Sequence, residues 1–140
     1  MASTFHTASP ELLALRDAAR DASKRAYVPY SHFAVGAALQ FADGEVVSGC
    51  NVENASYGLT VCAERTALVR SIAEGRDPAT IERIAVHVDG PEGQPCGMCR
   101  QFITELAPQA TVAFVSGGEY VEGPVSALLP AAFVPSALDA

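Results

Sequence analysis

What most constrains this chain is a strand–helix–strand order in its second half. Ile81 to Val88 is apolar over the length of a strand, a helical pattern starts near Cys96 and ends before Pro108, and Thr111 to Val115 is strand-like again. A helix returning the chain to the same sheet makes its flanking strands parallel. Two hairpin signals demand the opposite pairing elsewhere. Asp43-Gly44, within Ala42 to Glu45, joins the apolar runs Phe33 to Phe41 and Val46 to Cys50. Gly117-Gly118 turns the chain into a weaker strand around Tyr120-Val121. Helices are predicted from Ser9-Pro10-Glu11 up to the stop at Pro29, with Leu12, Leu15, Ala19, Ala22 and Ala26 on one face, and from about Cys62 to Glu74, with Gly75 as its end. A short helix is expected over Ser126 to Leu129. The fold class is therefore α/β: a three-layer α/β/α sandwich with a mixed five-stranded sheet. At 140 residues the chain suits one domain, 1–140, with residues 1–8 expected as a loose N-terminal tail.

A domain of this size buries a core without covalent staples, so its four cysteines are free for chemistry. The sequence has no apolar run of membrane-spanning length and no signal-peptide layout, which points to the cytoplasm, where thiols stay reduced. Nine Lys/Arg against sixteen Asp/Glu give a net charge of −7, which disfavours nucleic acid as a partner.

Two segments carry the chemistry: T-V-C-A-E-R-T-A at Thr60 to Ala67, and Q-P-C-G-M-C-R-Q at Gln94 to Gln101. Each puts a cysteine at the start of a helix, where unpaired N–H groups and the positive helix end favour the thiolate. Cys96 and Cys99 face one point from a single helical turn, and Cys62 would supply a third sulfur from the other helix. Three soft ligands suit zinc and leave its fourth tetrahedral position to water. Residues two apart on a helix diverge by roughly 200°. Glu64 therefore joins Cys62 only if the site lies off the helix end, and a carboxylate there can carry protons to a substrate nitrogen.

Simpler readings exist for each residue. A C-x-x-C pair also serves redox chemistry or half of a structural zinc knuckle, and Cys50 as fourth ligand would close the site. Cys50 ends an apolar strand, the usual place of a core cysteine. His87 alternates with Val86 and Val88 as a strand-face residue, and Glu64 alone is a helix-dipole partner.

The combination resembles the zinc-dependent cytidine deaminases, in their small, three-cysteine, free-nucleoside branch. The matching motifs are C-A-E-R, then P-C-x-x-C-R-Q, with P-Y-S-x-F-x-V-G-A-A at Pro29 to Ala38, N-V-E-N-A-S-Y-G at Asn51 to Gly58, and L-L-P-A-A-F at Leu128 to Phe133. The resemblance implies hydrolytic deamination of cytidine and 2′-deoxycytidine to the uridines with release of ammonia, a reaction of pyrimidine salvage. It implies one zinc per subunit on Cys62, Cys96 and Cys99, with Glu64 as proton shuttle. Asn51 and Glu53 would hold the ribose, Phe33 would pack on the pyrimidine, and the backbone of Ala63 and the stretch before Pro95 would meet the polar edge of the base. It also implies a homotetramer in which Tyr57 and Phe133 reach the active site. The nearly uncharged tail Val125 to Leu138, with Leu128, Leu129, Phe133 and Val134, is expected to dock.

Three thiolates overcompensate zinc to a formal −1, so Arg65 is expected to donate to the cysteine sulfurs. The rival activities are a blasticidin-type antibiotic deaminase, disfavoured by the intact Asn51-x-Glu53 and Phe33 segments, and a polynucleotide deaminase, disfavoured by the net charge. The rival from another class is a non-enzymatic structural zinc or thiol module.

Overall fold

A computed structural model describes residues 4–139. The elements in chain order are β1 (His6–Thr7), α1 (Pro10–Ser23), β2 (Val35–Phe41), β3 (Val46–Cys50), α2 (Ala63–Ala73), β4 (Ile81–Val88), α3 (Gly97–Leu106), β5 (Thr111–Ser116) and β6 (Glu119–Pro124). They form one sheet of order β1-β6-β5-β4-β2-β3. The β4–β5 pair, bridged by α3, is parallel, and the other named pairs are antiparallel. The α/β class and mixed pairing expected from the sequence are what the chain adopts.

Strand alternation divides the core into two layers. Ala38, Ala85 and Ala113 lie under Leu12, Leu15 and Ala19 of α1. Their neighbours Ala37, Leu39, Ile84, Val86 and Val112 pack on the opposite face against Ala67 and Leu68 of α2 and Cys99 and Ile103 of α3. Small side chains on the α1 side let that helix sit close to the sheet. The approach is closest at Gly36, where a Cβ would lie 1.7 Å from the Ala19 carbonyl oxygen. On the other face, a Cβ at Gly49 would come within 2.5 Å of the Ala67 nitrogen. These two glycines set the depth at which α1 and α2 dock.

Two expectations are corrected. The sheet has six strands, not five, because part of the segment expected as a loose tail forms β1. His6 and Thr7 pair with Glu122 and Val121 on the open edge of β6. Glu122 also accepts a 2.5 Å hydrogen bond from the Ser9 N–H, and the Phe5 ring packs 5.2 Å from that of Phe114. Edge pairing and one aromatic anchor thus order the segment; its residues 1–3 lie outside the described residues. The second correction concerns Ser126 to Leu129, which holds only a 3₁₀ turn at Val125–Ala127. Leu128 is nevertheless buried, so the first half of the C-terminal tail docks on its own sheet.

Gly36→Ala should lower the free energy of unfolding by about 1–3 kcal/mol or more, because the clash is with backbone that cannot rotate away. Urea unfolding of variant and wild type measures this; an unchanged midpoint would contradict the close α1 docking.

Candidate active site

The parallel β4–β5 pair and the α3 crossover place the N-termini of α2 and α3 side by side on one face of the sheet. Cys62 is the N-cap of α2 and Cys96 the N-cap of α3, both in extended backbone without a side-chain capping bond. Their sulfurs are 3.7 Å apart. Cys99, in the first turn of α3, completes a cluster whose three Sγ atoms all lie within 4.8 Å of one another. Cys50 is outside this cluster, so among the described residues no fourth cysteine closes it.

The thiols are unequal. Cys62 is lowered to about 5 by a hydrogen bond from the Cys99 thiol, against the cost of burial and with help from Arg65 and Cys96. Cys99 is pushed far up by the same hydrogen bond, by burial and by Glu64. Of this hydrogen-bonded pair, Cys62 is the more acidic and Cys99 keeps the shared proton. A set of three soft thiolates with one side facing a cavity fits a tetrahedral zinc ion.

That cavity, of about 280 Å³, reaches Cys62, Ala63, Glu64 and Cys96 and has Phe33, Asn51, Val86 and Val88 among its walls. Glu64 is only 4% exposed, and burial raises its carboxyl above the usual carboxylate range. Phe33 lines the cavity from the segment before β2 and is 47% exposed. Asn51 is buried and already committed on both sides. Its Oδ1 accepts from the Val35 N–H at 2.9 Å and its Nδ2 donates to the Phe33 carbonyl at 2.8 Å. One amide N–H and one lone pair remain for a ligand.

Glu53 lies elsewhere. It lines a neighbouring cavity of about 430 Å³ with Tyr30, Ser31, Tyr57 and Thr60, and Thr60 borders both cavities. Its carboxylate accepts from the Ser31 hydroxyl and from the N–H groups of Tyr30 and Ser31, each at 3.1 Å. The Ser31 hydroxyl is the main reason its pKa is held low.

Arg65 donates from Nη2 to the Thr60 carbonyl at 3.2 Å and to Cys62 Sγ at 3.6 Å. Tyr57 is 75% exposed at the mouth of the outer cavity, its ring 6.0 Å from that of Tyr30. Phe133 is 59% exposed and reaches neither cavity; its carbonyl accepts from Gln101 Nε2 at 2.9 Å.

Sequence similarity now decides the family. Residues 11–115 match the model described as the cytidine and deoxycytidylate deaminase zinc-binding region. The chain belongs to the cytidine and deoxycytidylate deaminase family. It is 49% identical over 114 residues to a cytidine deaminase of Halalkalibacterium halodurans, covering 80% of this chain and 86% of that one. The crystal structure of a cytidine deaminase from Burkholderia pseudomallei superposes with a TM-score of 0.80 at 49% identity, over 86% of this chain and 98% of the other. A Blasticidin-S deaminase of Bacillus cereus is 33% identical over 104 residues, covering 69% of this chain and 74% of that protein.

Within this deaminase fold, one assignment escaped the sequence reading. Arg100 donates from Nε to the Pro95 carbonyl at 2.8 Å and from Nη1 to the Leu128 carbonyl at 2.9 Å. It ties the turn that presents Cys96 to the C-terminal segment. The C-R-Q motif contained the signal, because Arg100 and Gln101 both bind that segment.

Alanine at Cys62, Cys96 or Cys99 should abolish stoichiometric zinc, whereas Cys50→Ala should keep it. Arg65→Gln should weaken zinc retention by about tenfold or more. Metal analysis after dialysis checks all five variants; zinc lost in Cys50→Ala, or full retention without Cys62, would contradict the three-sulfur site.

Proposed function

We propose that the chain hydrolyses the amino group of cytidine and 2′-deoxycytidine, yielding uridine or 2′-deoxyuridine and ammonia. The observation that carries this reading is the placement of a buried carboxyl, Glu64, beside three converging sulfurs at one end of a base-sized cavity with an aromatic ring on its wall. Cys62, Cys96 and Cys99 would hold one zinc ion, which would supply the Lewis acidity that makes water a nucleophile near neutral pH.

The remaining work falls to the chain. The pyrimidine enters the inner cavity along Phe33, with the Ala63 backbone and the stretch before Pro95 at its polar edge. The ribose extends past Thr60 toward Glu53, and the uncommitted amide capacity of Asn51 lies on the wall of the inner cavity. Glu64 takes the proton shed by the attacking water and delivers it to ring N3, then carries a second proton to the departing amine. The C4–N bond breaks and C4 becomes a carbonyl. Burial suits this role, since it lets the carboxyl hold a proton between the two deliveries. Arg65 moderates the excess negative charge of the sulfurs from its contact with Cys62.

The apolar face of α2 and α3 supports self-association as a homotetramer. Val69, Ile72 and Met98 are exposed there, beside a cavity of about 540 Å³ lined also by Phe102 and Leu106. In that assembly Tyr57 and Phe133, which lie at or beyond the edge of their own site, complete a neighbour's. The chain is a single catalytic domain acting on a free nucleoside in cytoplasmic pyrimidine salvage, and nucleic acid is not its partner. No helix among the described residues is long and apolar enough to cross a membrane.

Glu64→Gln should keep zinc and lose cytidine turnover by about 10²–10⁴-fold, measured by the ultraviolet change on conversion to uridine. Activity near wild type in that variant would contradict the shuttle; turnover of blasticidin S but not of cytidine would replace the substrate. Sedimentation at micromolar concentration should give a tetramer, and a fully active monomer would contradict the shared site.

A further inference from the structure

A further cavity lies on the other side of the sheet from the cysteine cluster. It measures about 160 Å³ and is bordered by Arg16 and Arg20 of α1, His87 of β4, Tyr120 of β6, and Gly90 and Gly118 of the adjoining turns. Strand alternation explains why His87 belongs here: Val86 faces the nucleoside cavity, so the next side chain faces α1.

Arg16 is the anomalous residue. Every other arginine of the described chain donates a hydrogen bond to an oxygen. Arg16 donates none among the described residues, and its Nε is buried without an acceptor. Its guanidinium instead lies 4.8 Å from the centre of the Tyr120 ring. Stacking engages the face of a guanidinium and leaves its edge of N–H donors unused. In a chain of net charge −7, with acids plentiful, an arginine without a carboxylate is conspicuous. A buried donor without a protein acceptor is left free to meet solvent or an ion.

The surroundings favour an anion. Arg20 stands one helical turn from Arg16 on the same wall, so the two cations converge. Its pair with Asp17, at 3.3 Å, is solvent-exposed on both sides and holds Arg20 only weakly. Asp89, which meets His87 Nε2 at 3.0 Å, is 92% exposed and points its charge largely at water. Size then narrows the ligand, because at about 160 Å³ this cavity is little more than half the volume of the 280 Å³ cavity at the cysteine cluster. It has room for one tetrahedral oxyanion. Arginine's planar fork of donors matches such an ion in two-point contact.

We propose that this rear cavity is a binding site for one phosphate group, free or as a phosphomonoester, held by Arg16 and Arg20. Val88 borders both this cavity and the nucleoside cavity. The 89–95 loop also spans them, with Gly90 at the rear and Gly93 at the front. Bound phosphate would therefore rest against the strand and loop that shape the front pocket.

Calorimetric titration of the zinc-loaded, full-length protein tests this, with inorganic phosphate in one arm and adenosine 5′-monophosphate in the other, at fixed ionic strength in chloride. Saturable binding of one anion per chain is expected in at least one arm. Preference for inorganic phosphate identifies the free ion, and preference for the nucleotide identifies a phosphomonoester. Arg16→Met keeps the apolar stem on Tyr120 and should weaken binding by about tenfold or more. The exposed Arg20→Gln change should weaken it severalfold without risk to folding. Both variants should retain zinc content and cytidine turnover in phosphate-free buffer. No saturable binding in either arm, or wild-type affinity in both variants, would overturn the proposal.

Discussion

Two cysteine sulfurs 3.7 Å apart, with a third beside them, are the arrangement on which the rest of the site depends. As thiolates, two charges at about 4 Å repel by about 4 kcal/mol at the effective dielectric of a protein surface. A helix end returns only about 0.3–1 kcal/mol. The Cys99 thiol and Arg65 therefore favour ionisation at Cys62, but thiolates on all three sulfurs would repel one another without a cation. A divalent cation resolves this, and a mixed sheet that brings two helix starts together is the scaffold that makes the cluster possible. The structure thus stores an electrostatic conflict that the zinc of this family relieves.

The sheet achieves that placement with unequal layers. Alanines and Gly36 let α1 lie close against one face, while Gly49 seats α2 on the other at the depth its first turn needs. Strand β4 is the partition between them. Its even-numbered valines wall the nucleoside cavity, and His87 and Ala85 face α1. One strand therefore serves two cavities of different chemistry, one apolar and metal-centred, the other cationic. The 89–95 loop that follows it is fastened to the β5–β6 turn by Gly93 N–H to the Val115 carbonyl and Gly118 N–H to the Pro91 carbonyl, each at 2.9 Å.

Local pattern carried much of this. Turn residues announced the hairpins, strand length and helical spacing announced the crossover, and two cysteine-led helix starts announced where chemistry would lie. Edge pairing was beyond such reasoning: β1 is two residues long, too short for any periodicity, and exists because β6 offers an open edge. The surroundings of Asn51 and Glu53 were visible only in outline. Sequence places both on one loop, but the fold commits the Asn51 amide to the backbone of the Phe33–Val35 segment and swings Glu53 into the outer cavity, held by Ser31. Arg100 was hidden for the same reason, since its partners lie at the turn before α3 and in the C-terminal segment.

The central claim is that the three-sulfur cluster is the seat of cytidine hydrolysis. Its most direct test is to strip the wild-type protein of metal and return zinc in measured increments, following bound zinc and cytidine conversion on the same samples. Turnover should rise linearly with zinc and level off at one ion per chain. Conversion that is independent of zinc, or absent at full occupancy, would contradict it.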